Sequence, residues 1–375
     1  MRVMMAGGGT GGHVYPAVAI LDELRRADPT VEVVYVGTRR GIESRVLRTR
    51  PWVRFLPIHA RGRRPGTRFD RLRVAFWLAV GLVETAMALL RFRPHVVIGV
   101  GGYSSFPPVL LGALAGFVLP IRTVIHEQNA VAGLANRWLS RFVDLVLISY
   151  PTSREQFPRA RRVVTTGNPI RDEFLRQERA EAGYRMFGLD PRKRTVLVFG
   201  GSNGSSDLTE EVLSGTRELS RRQEVQVLLV TGSEAAAEEA RRRLAKDGIV
   251  NAVVVPYIEQ MAVAFAIADL IVSRAGATTL AEITGCGKPA ILVPWRGATD
   301  DHQLENARVL EREEACRLAS DEIMVRHELV RLVLDVVRDE AALARLGRNA
   351  HRMGQRQAGP LIRSEIQGLV RGAGA

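Results

Sequence analysis

The stretch from Asp269 to Pro294 constrains the fold most strongly, because two largely apolar runs flank a short helical segment. The runs, Asp269–Ser273 and Pro289–Pro294, have the composition of parallel strands that are buried on both faces. Gly276 precedes the helix, which is predicted over Thr278–Thr284 and ends at glycines. Two parallel strands joined by a helix form a βαβ unit, so the sequence predicts an α/β fold built on a parallel sheet.

The start of this helix has the chemistry of a nucleotide site. Unpaired backbone N–H groups and the helix dipole favour an anion such as a phosphate. Glu282 lies four residues after Thr278 and therefore on the same helix face, where its carboxylate is placed to accept hydrogen bonds from a ribose diol. An ordinary capped helix with a solvated glutamate has the same local pattern, so this segment alone leaves both interpretations open.

Each half of the chain opens with the same order of strand, glycine loop and helix. In the first half, the strand Arg2–Ala6 leads into Gly7–His13 and a helix predicted over Ala17–Ala27. The second half repeats this order with the strand Thr195–Phe199, the loop Gly200–Ser205 and a helix over Leu208–Ser220. We therefore predict two doubly wound, Rossmann-like domains that face each other across a cleft.

The turn at Gly167-Asn168-Pro169 predicts the junction between the domains. The predicted divisions are residues 1–166, residues 167–345 and a helical tail, 346–375, whose placement the sequence leaves open. A helix is predicted over Arg326–Ala350, and the segment after Gly354 is a candidate for a further helix.

The first glycine loop also fits a dinucleotide site, because Gly7, Gly9 and Gly12 satisfy the pattern G-x-G-x-x-G. In such a site an acidic residue ends the next strand, about 20 residues on. The strand predicted over Val31–Gly37 is followed instead by Thr38 and two arginines. An arginine there suits a 2′-phosphate, so an oxidoreductase that uses a phosphorylated nicotinamide cofactor remains an alternative.

Basic charge is concentrated in the first half of the chain. The net charge is +13, and residues 1–166 hold 24 arginines against ten acidic residues, most densely in Arg39–Arg73. This asymmetry predicts an anionic surface as partner of the first half. Nucleic acid is the competing partner, but no nucleic-acid-binding motif accompanies the charge, so we predict none. The two cysteines form no disulfide framework, which fits a reducing cytosol.

A long apolar segment, Leu72–Leu90, lies beside this basic region. A spanning helix needs about 20 apolar residues, whereas Glu84 interrupts this run and Arg73 and Arg91 lie at its ends. We favour a helix packed on the sheet, with an interfacial membrane helix as the alternative.

Six sequence blocks in fixed order closely resemble glycosyltransferase family 28, the MurG family of peptidoglycan synthesis. The blocks are GGTGGHVYPA (Gly8–Ala17), GVGGYSSFP (Gly99–Pro107), HEQN (His126–Asn129), GNPIR (Gly167–Arg171), GGSNGS (Gly200–Ser205) and SRAGATTLAEI…GKPAILVP…DDHQLENA (Ser273–Ala307). Asn203 departs from the glutamine usual in this family, and the segment after Val46 lacks the family's usual proline.

The resemblance implies an inverting GT-B glycosyltransferase with no cofactor and no metal in its site. Its substrates would be UDP-N-acetylglucosamine and lipid I, the undecaprenyl-pyrophosphoryl-MurNAc-pentapeptide, whose muramoyl C4 hydroxyl receives the sugar to give lipid II. The second domain would bind the donor. The first would meet the acceptor at the anionic inner leaflet, as a peripheral protein on the cytoplasmic face of the cell membrane. A related enzyme with another lipid acceptor, a UDP-sugar epimerase and a non-enzymatic nucleotide sensor are the alternatives.

The resemblance also implies a set of donor-binding residues: Thr10, Gly11, Gly12, Asn129, Arg171, Ser202, Ile258, Ala277, Thr278, Thr279, Leu280, Ala281, Glu282 and Gln303. Glu282 would hold the ribose, in agreement with the helix pattern described above. Arg171 and the helix starts behind Ser202 and Ala277 would neutralise the leaving diphosphate.

The acceptor hydroxyl must lose a proton, which requires a base in hydrogen-bond reach. His13, which ends the first glycine loop, is our first choice, because histidine titrates near neutral pH. A protonated His13 that clamps the diphosphate, or a structural hydrogen bond from it, is the alternative. Glu127 is the second candidate for the base, and His126 lies beside it.

Overall fold

The computed structural model describes residues 1–38, 41–59, 68–176, 181–201, 204–295, 297 and 301–372, without the side chains of residues 68–75, 216 and 217. The chain divides into two compact units. Unit 1 contains Met1–Ile170 and Arg356–Ala375, and unit 2 contains Arg171–Gln355.

Unit 1 is built on a seven-stranded parallel sheet in the order β3-β2-β1-β4-β5-β6-β7. The strands are β1 (Arg2–Ala6), β2 (Glu32–Thr38), β3 (Val53–Ile58), β4 (Val96–Gly99), β5 (Arg122–Glu127), β6 (Leu145–Ile148) and β7 (Val163–Thr165). The helices between them are α1 (Gly11–Ala27), α2 (Glu43–Val46), α3 (Arg68–Phe92), α4 (Phe106–Ala115) and α5 (Leu134–Leu139). Short 3₁₀ turns occupy Leu47–Thr49, Tyr103–Ser105 and Pro151–Gln156.

Both faces of this sheet are buried, as the apolar strand composition requires. Val3 and Met5 of β1 belong to one apolar core, whereas Met4 and Ala6 belong to a second. Successive strand residues point to opposite faces, so the two cores lie on the two sides of the sheet. This is the doubly wound arrangement that the sequence predicts.

Unit 2 repeats the plan with a six-stranded parallel sheet in the order β10-β9-β8-β11-β12-β13. The strands are β8 (Arg194–Phe199), β9 (Val225–Val230), β10 (Ala252–Val255), β11 (Leu270–Ser273), β12 (Ala290–Leu292) and β13 (Arg317–Leu318). The helices are α6 (Asp172–Leu175), α7 (Glu181–Phe187), α8 (Ser206–Ser214), α9 (Thr216–Ser220), α10 (Glu234–Lys246), α11 (Met261–Ile267), α12 (Ala277–Cys286), α13 (His302–Arg312), α14 (Asp321–Val325), α15 (Leu329–Arg338) and α16 (Glu340–Met353).

Helix boundaries differ from the predictions where glycine or proline lies inside or beside a helix. The first helix begins at Gly11 rather than Ala17, so Pro16 is accommodated within it. The helix predicted over Leu208–Ser220 is divided at Gly215. The helix predicted over Arg326–Ala350 is also divided, at Asp339, whose carboxylate caps the start of the second part.

The last helix, α17 (Ala358–Arg371), returns to unit 1. Its Ile362 and Ile366 are fully buried in the core that α1 covers. Ion pairs from Arg363 to Glu23 and from Arg162 to Glu365 hold its flanks. The boundary predicted at residue 345 therefore falls inside α16, and the tail that begins at residue 356 is a part of the first unit.

The apolar segment Leu72–Leu90 lies within α3, whose last two-thirds carry exposed Phe76, Val83 and Leu90. Among the described residues, no helix combines the length and the apolar character that crossing a membrane requires.

Candidate active site

The order of strands reverses between β1 and β4 in unit 1, and this reversal places two glycine loops side by side. Ligands of open α/β sheets bind beside such a reversal, at the carboxyl ends of the strands. The predicted residues Thr10, Gly11, Gly12 and His13 follow β1 and form the start of α1. Gly101, which follows β4, lies against the His13 ring: a Cβ there would be 2.9 Å from Cε1.

His13 is half-buried, and its Nδ1 lies 3.1 Å from Oε1 of Gln128. No described residue forms a hydrogen bond with its other ring nitrogen, Nε2. His126 is fully buried, and Gly167 O lies 3.0 Å from its Nε2. Burial lowers the pKa of His126 below the usual histidine value, so this imidazole is neutral at physiological pH.

Glu127, the second candidate for the base, is 2% exposed and surrounded by N–H donors. Its Oε1 accepts hydrogen bonds from the backbone and the side-chain amide of Asn129. Its Oε2 accepts from Gly133 N at 3.0 Å and from Asn136 Nδ2 at 2.8 Å. A carboxylate with four donors has no lone pair left for an acceptor proton. We therefore propose that Glu127 and the half-buried Asn129 organise this loop, and we no longer propose Glu127 as the base.

Glu43 is a buried carboxylate that the sequence analysis missed. It is fully buried, and its Oε1 accepts from Gly9 N at 3.0 Å and from the backbone and hydroxyl of Thr38 at 3.2 Å each. A Cβ on Gly8 or Gly41 would lie within 2 Å of its carboxylate oxygens. The glycines thus make room for the carboxylate that fixes the loop. No local signal marks Glu43, because its partner Gly9 lies 34 residues earlier in the chain.

In unit 2 the order of strands reverses between β8 and β11, and α12 begins after β11. Arg274 follows β11 and contacts the segments after two other strands. Its Nη2 donates to Ser205 Oγ at 2.9 Å after β8, and its Nη1 donates to Val293 O at 3.2 Å after β12. No pattern in the sequence marks this arginine as part of the site. In the predicted segment 277–282, Thr278, Thr279 and Ala281 are partly exposed, whereas the side chains of Ala277 and Leu280 lie in the core.

Glu282 is 6% exposed and is held by Arg171. Its Oε1 accepts from Arg171 Nη2 at 2.9 Å and from Nε at 3.2 Å, while Arg171 Nη1 contacts Glu173 at 2.7 Å. Burial raises the pKa of the Glu282 carboxyl, and the guanidinium opposes this shift. Among the described residues, none forms a hydrogen bond with the second oxygen, Oε2.

The other predicted residues have separate environments. Ile258 is buried, and Gln303 Oε1 accepts from Trp295 N at 2.9 Å. Ser202 and Asn203 lie outside the described residues. Within the described part of the chain, no three His, Cys, Asp or Glu side chains are grouped closely enough to hold a metal ion.

Two protein-family models match the two halves of the chain. The glycosyltransferase family 28 N-terminal domain matches residues 3–148, and the glycosyltransferase family 28 C-terminal domain matches residues 195–359. The chain belongs to glycosyltransferase family 28. The oxidoreductase suggested by the first glycine loop is therefore excluded. The predicted residues from Thr10 to Asn129 lie in the first family 28 region, and those from Ile258 to Gln303 lie in the second.

Two named relatives match most or nearly all of the chain. A protein of Caldanaerobacter subterraneus is 39% identical over 84% of this chain and 85% of its own, and one of Lactiplantibacillus plantarum is 36% identical over 99% and 100%. Both are named UDP-N-acetylglucosamine--N-acetylmuramyl-(pentapeptide) pyrophosphoryl-undecaprenol N-acetylglucosamine transferase.

Solved structures agree with the predicted fold. The crystal structure of Acinetobacter baumannii MurG is 28% identical, with a TM-score of 0.74 over 98% of this chain and 99% of its own. A putative UDP-N-acetylglucosamine 2-epimerase of Listeria monocytogenes has a TM-score of 0.69 at 16% identity, over 98% and 95% of the two chains. The second likeness shows the fold alone. The prediction of two Rossmann-like domains of the GT-B class is confirmed.

Proposed function

We propose that this chain transfers N-acetylglucosamine from UDP-N-acetylglucosamine to the C4 hydroxyl of the muramoyl sugar of lipid I, giving lipid II with inversion at the anomeric carbon. The sequence identity of 39% and 36%, over 84% and 99% of the chain, to transferases named for this donor and acceptor is the observation that carries the proposal. The strand ends of both sheets supply matching chemistry: a histidine with an open ring nitrogen in unit 1 and a buried carboxylate in unit 2.

The donor nucleotide is proposed to bind unit 2 at the start of α12. Backbone N–H groups there favour the diphosphate. Arg171 holds one oxygen of Glu282 and opposes the rise in pKa that burial causes, so it favours the carboxylate. Oε2 is left to accept hydrogen bonds from the ribose hydroxyls. Because its guanidinium already faces two carboxylates, Arg171 is assigned to Glu282 rather than to the diphosphate. Thr10, Gly11 and Gly12 remain proposed donor contacts, as do Ile258 and Gln303.

The proposed reaction is a single displacement. The acceptor hydroxyl oxygen bonds to the anomeric carbon as the bond from that carbon to the diphosphate oxygen breaks, and the bonding electron pair leaves with UDP. The hydroxyl proton moves to Nε2 of His13, the general base. Histidine suits this role because it exchanges a proton near neutral pH.

A transfer assay tests the function. The protein is incubated in detergent with radiolabelled UDP-N-acetylglucosamine and a lipid I analogue, and we expect the label in a lipid-linked disaccharide. An analogue without the muramoyl sugar serves as the control acceptor. Conversion of the labelled sugar nucleotide to its C2 epimer without acceptor, or equal transfer to the control, would contradict the proposal.

An apolar surface with a basic rim supports a membrane-facing role for unit 1. A groove of about 760 Å³ lies on this unit, and its walls include Leu78, Phe106, Leu134, Trp138, Arg137, Arg141 and Arg159. Exposed Phe117 and Val118 follow α4 on the same unit. We propose that this surface rests on the anionic inner leaflet, where each basic residue contributes about 1 kcal/mol. In the basic segment Arg39–Arg73, we also propose Arg61, Arg63, Arg64, Arg68 and Arg71 for this role; the first three lie outside the described residues, as do the side chains of Arg68 and Arg71.

Vesicle co-sedimentation tests this surface. We expect binding to phosphatidylglycerol vesicles that weakens with salt and with replacement of Arg137, Arg141 and Arg159 by glutamine. The same three-charge change at exposed Arg221, Arg222 and Arg242 of unit 2 is the matched control. Equal loss of binding in both triple variants would contradict a surface specific to unit 1.

A further inference from the structure

Four residues of unit 1 form one chain of hydrogen bonds that ends at His13. Gly167 O lies 3.0 Å from Nε2 of His126, and Nδ1 of His126 lies 3.0 Å from Nε2 of Gln128. Oε1 of Gln128 lies 3.1 Å from Nδ1 of His13. His126 and Gln128 are 0% and 1% exposed, so water does not compete for these bonds.

The direction of each bond follows from the fixed end of the chain. A carbonyl oxygen only accepts, so His126 donates from Nε2 to Gly167 O. A neutral imidazole has one N–H, and Nδ1 of His126 therefore carries a lone pair. The amide nitrogen of Gln128 donates into this lone pair.

A second carbonyl fixes the orientation of the Gln128 amide. Nε2 of Gln128 also lies 3.0 Å from the backbone oxygen of His126. The reversed amide would bring two oxygens together there and leave an acceptor facing the lone pair of the ring. With both amide hydrogens used, Oε1 is the acceptor, and Nδ1 of His13 must donate to it.

We propose that Gln128 is a positioning residue that holds His13 in its Nδ1–H tautomer and thereby places the lone pair on Nε2. This inference rests on the proposed transfer reaction, in which Nε2 receives the acceptor proton. The hydrogen bond made by one ring nitrogen decides which form the other takes, as the aspartate does in serine protease triads.

The surroundings of His13 keep the ring in this place. A Cβ on Gly101 would lie 3.0 Å from Nδ1, so the glycine lets the ring approach the backbone at the end of β4. The carboxylate of the neighbouring Glu127 accepts its hydrogen bonds from Asn129, Gly133 and Asn136. A neutral amide thus sets the tautomer of His13 without placing a negative charge beside the ring.

Nitrogen-15 NMR of histidine-labelled protein measures the tautomer directly, with the His13 signal assigned from the His13→Gln variant. In the wild type, neutral His13 should be protonated at Nδ1. In Gln128→Met it should shift to the Nε2–H form that histidine favours in water. We expect kcat to fall about 10- to 100-fold, with KM for the donor within about twofold.

Two further variants separate positioning from folding. Gln226→Met removes a buried glutamine with three hydrogen bonds in unit 2 and should change neither the tautomer nor kcat. Gln128→Glu keeps an acceptor for Nδ1–H, so the folded variant should retain the Nδ1–H tautomer even though its new oxygen faces His126 O. Thermal unfolding of each variant identifies any that fails to fold.

The outcomes are distinguishable. An Nε2–H tautomer of His13 in the wild type, or an unchanged tautomer in folded Gln128→Met, would overturn the inference. The NMR measurement needs no substrate. If the wild type transfers no sugar to lipid I, the proposed function fails while the spectra still decide the tautomer.

Discussion

At the scale of single residues, Glu282 is a buried carboxylate with a protein partner on only one of its two oxygens among the described residues. Arg171 occupies Oε1, and the geometry leaves Oε2 for a ligand. Glu282→Ala should raise KM for the UDP-sugar roughly 10- to 150-fold, because a charge-assisted hydrogen bond contributes about 1.5–3 kcal/mol. Calorimetry of UDP binding is the measurement, with exposed Glu238→Ala on α10 as control. Unchanged UDP affinity in Glu282→Ala would remove this residue from the donor site.

His126 makes the stability of the fold depend on pH. Burial lowers its pKa in the folded state, so the unfolded chain takes up a proton, near pH 6.5, that the folded chain does not. The free energy of unfolding of the wild type should therefore fall relative to His126→Gln as the pH decreases from 7 to 5, by at most about 1.4 kcal/mol per pH unit.

Urea unfolding at a series of pH values measures this difference. His351→Gln replaces an exposed histidine on α16 and serves as control. A constant difference between wild type and His126→Gln across this range would show that His126 binds its proton equally in both states.

The local sequence predicts which residues lie at strand ends, but it does not predict the hydrogen-bond partners that orient their side chains. His13 follows β1, and His126 and Glu127 are the last residues of β5, which is where the ligand site of such sheets lies. The roles of Glu127 and Gln128 depend on donors that the fold brings together. Neither periodicity nor spacing in the sequence specifies those contacts.

At the scale of elements, the strands were predicted more accurately than the helices. Buried parallel strands are continuous apolar runs, and the predicted strand Arg2–Ala6 has the same bounds as β1, while Thr195–Phe199 differs from β8 by one residue. Helix ends depend on capping and on tertiary contacts, as at Gly11 and Asp339.

The loop around Glu43 gives a prediction for an element. In Gly41→Ala, the new Cβ would lie 1.6 Å from Oε2 of Glu43 and must displace the carboxylate from Gly9 N. We expect the free energy of unfolding to fall by about 1–3 kcal/mol and the Gly9 amide hydrogen to exchange faster with solvent.

Gly368→Ala is the matched control, because a Cβ on this α17 glycine meets nothing within 4 Å. It should stabilise the protein by about 0.5–1 kcal/mol, since alanine favours the helix. Unfolding midpoints in urea measure both changes. A Gly41→Ala protein as stable as the wild type would mean that the carboxylate is free to move.

At the scale of the whole molecule, the chain builds unit 1 from both of its end regions. Sequence patterns describe neighbours along the chain, so the placement of the tail could not be predicted, although its helix could. Burial of Ile362 and Ile366 against the α1 core decides it.

Because α17 packs on unit 1, a cavity in this helix should destabilise unit 1 and leave unit 2 unchanged. Ile362→Ala should lower the free energy of unfolding of unit 1 by about 2–5 kcal/mol, because it leaves a cavity in a closed core. Leu361→Ala, at a half-exposed position on the same helix, should change it by about 0.5 kcal/mol or less. Hydrogen exchange resolved by residue checks whether the loss is confined to β1–β7, and equal loss in β8–β13 would contradict it.

The return of α17 to the first unit also sets an order of events during translation. The N-terminal sheet leaves the ribosome first, but its α1 face stays uncovered until residue 371 has been synthesised. Unit 2 lies between these two segments, and at about 5–20 residues per second its synthesis takes roughly ten to forty seconds. During that interval a nascent chain displays the apolar strip that Ile362 and Ile366 later cover.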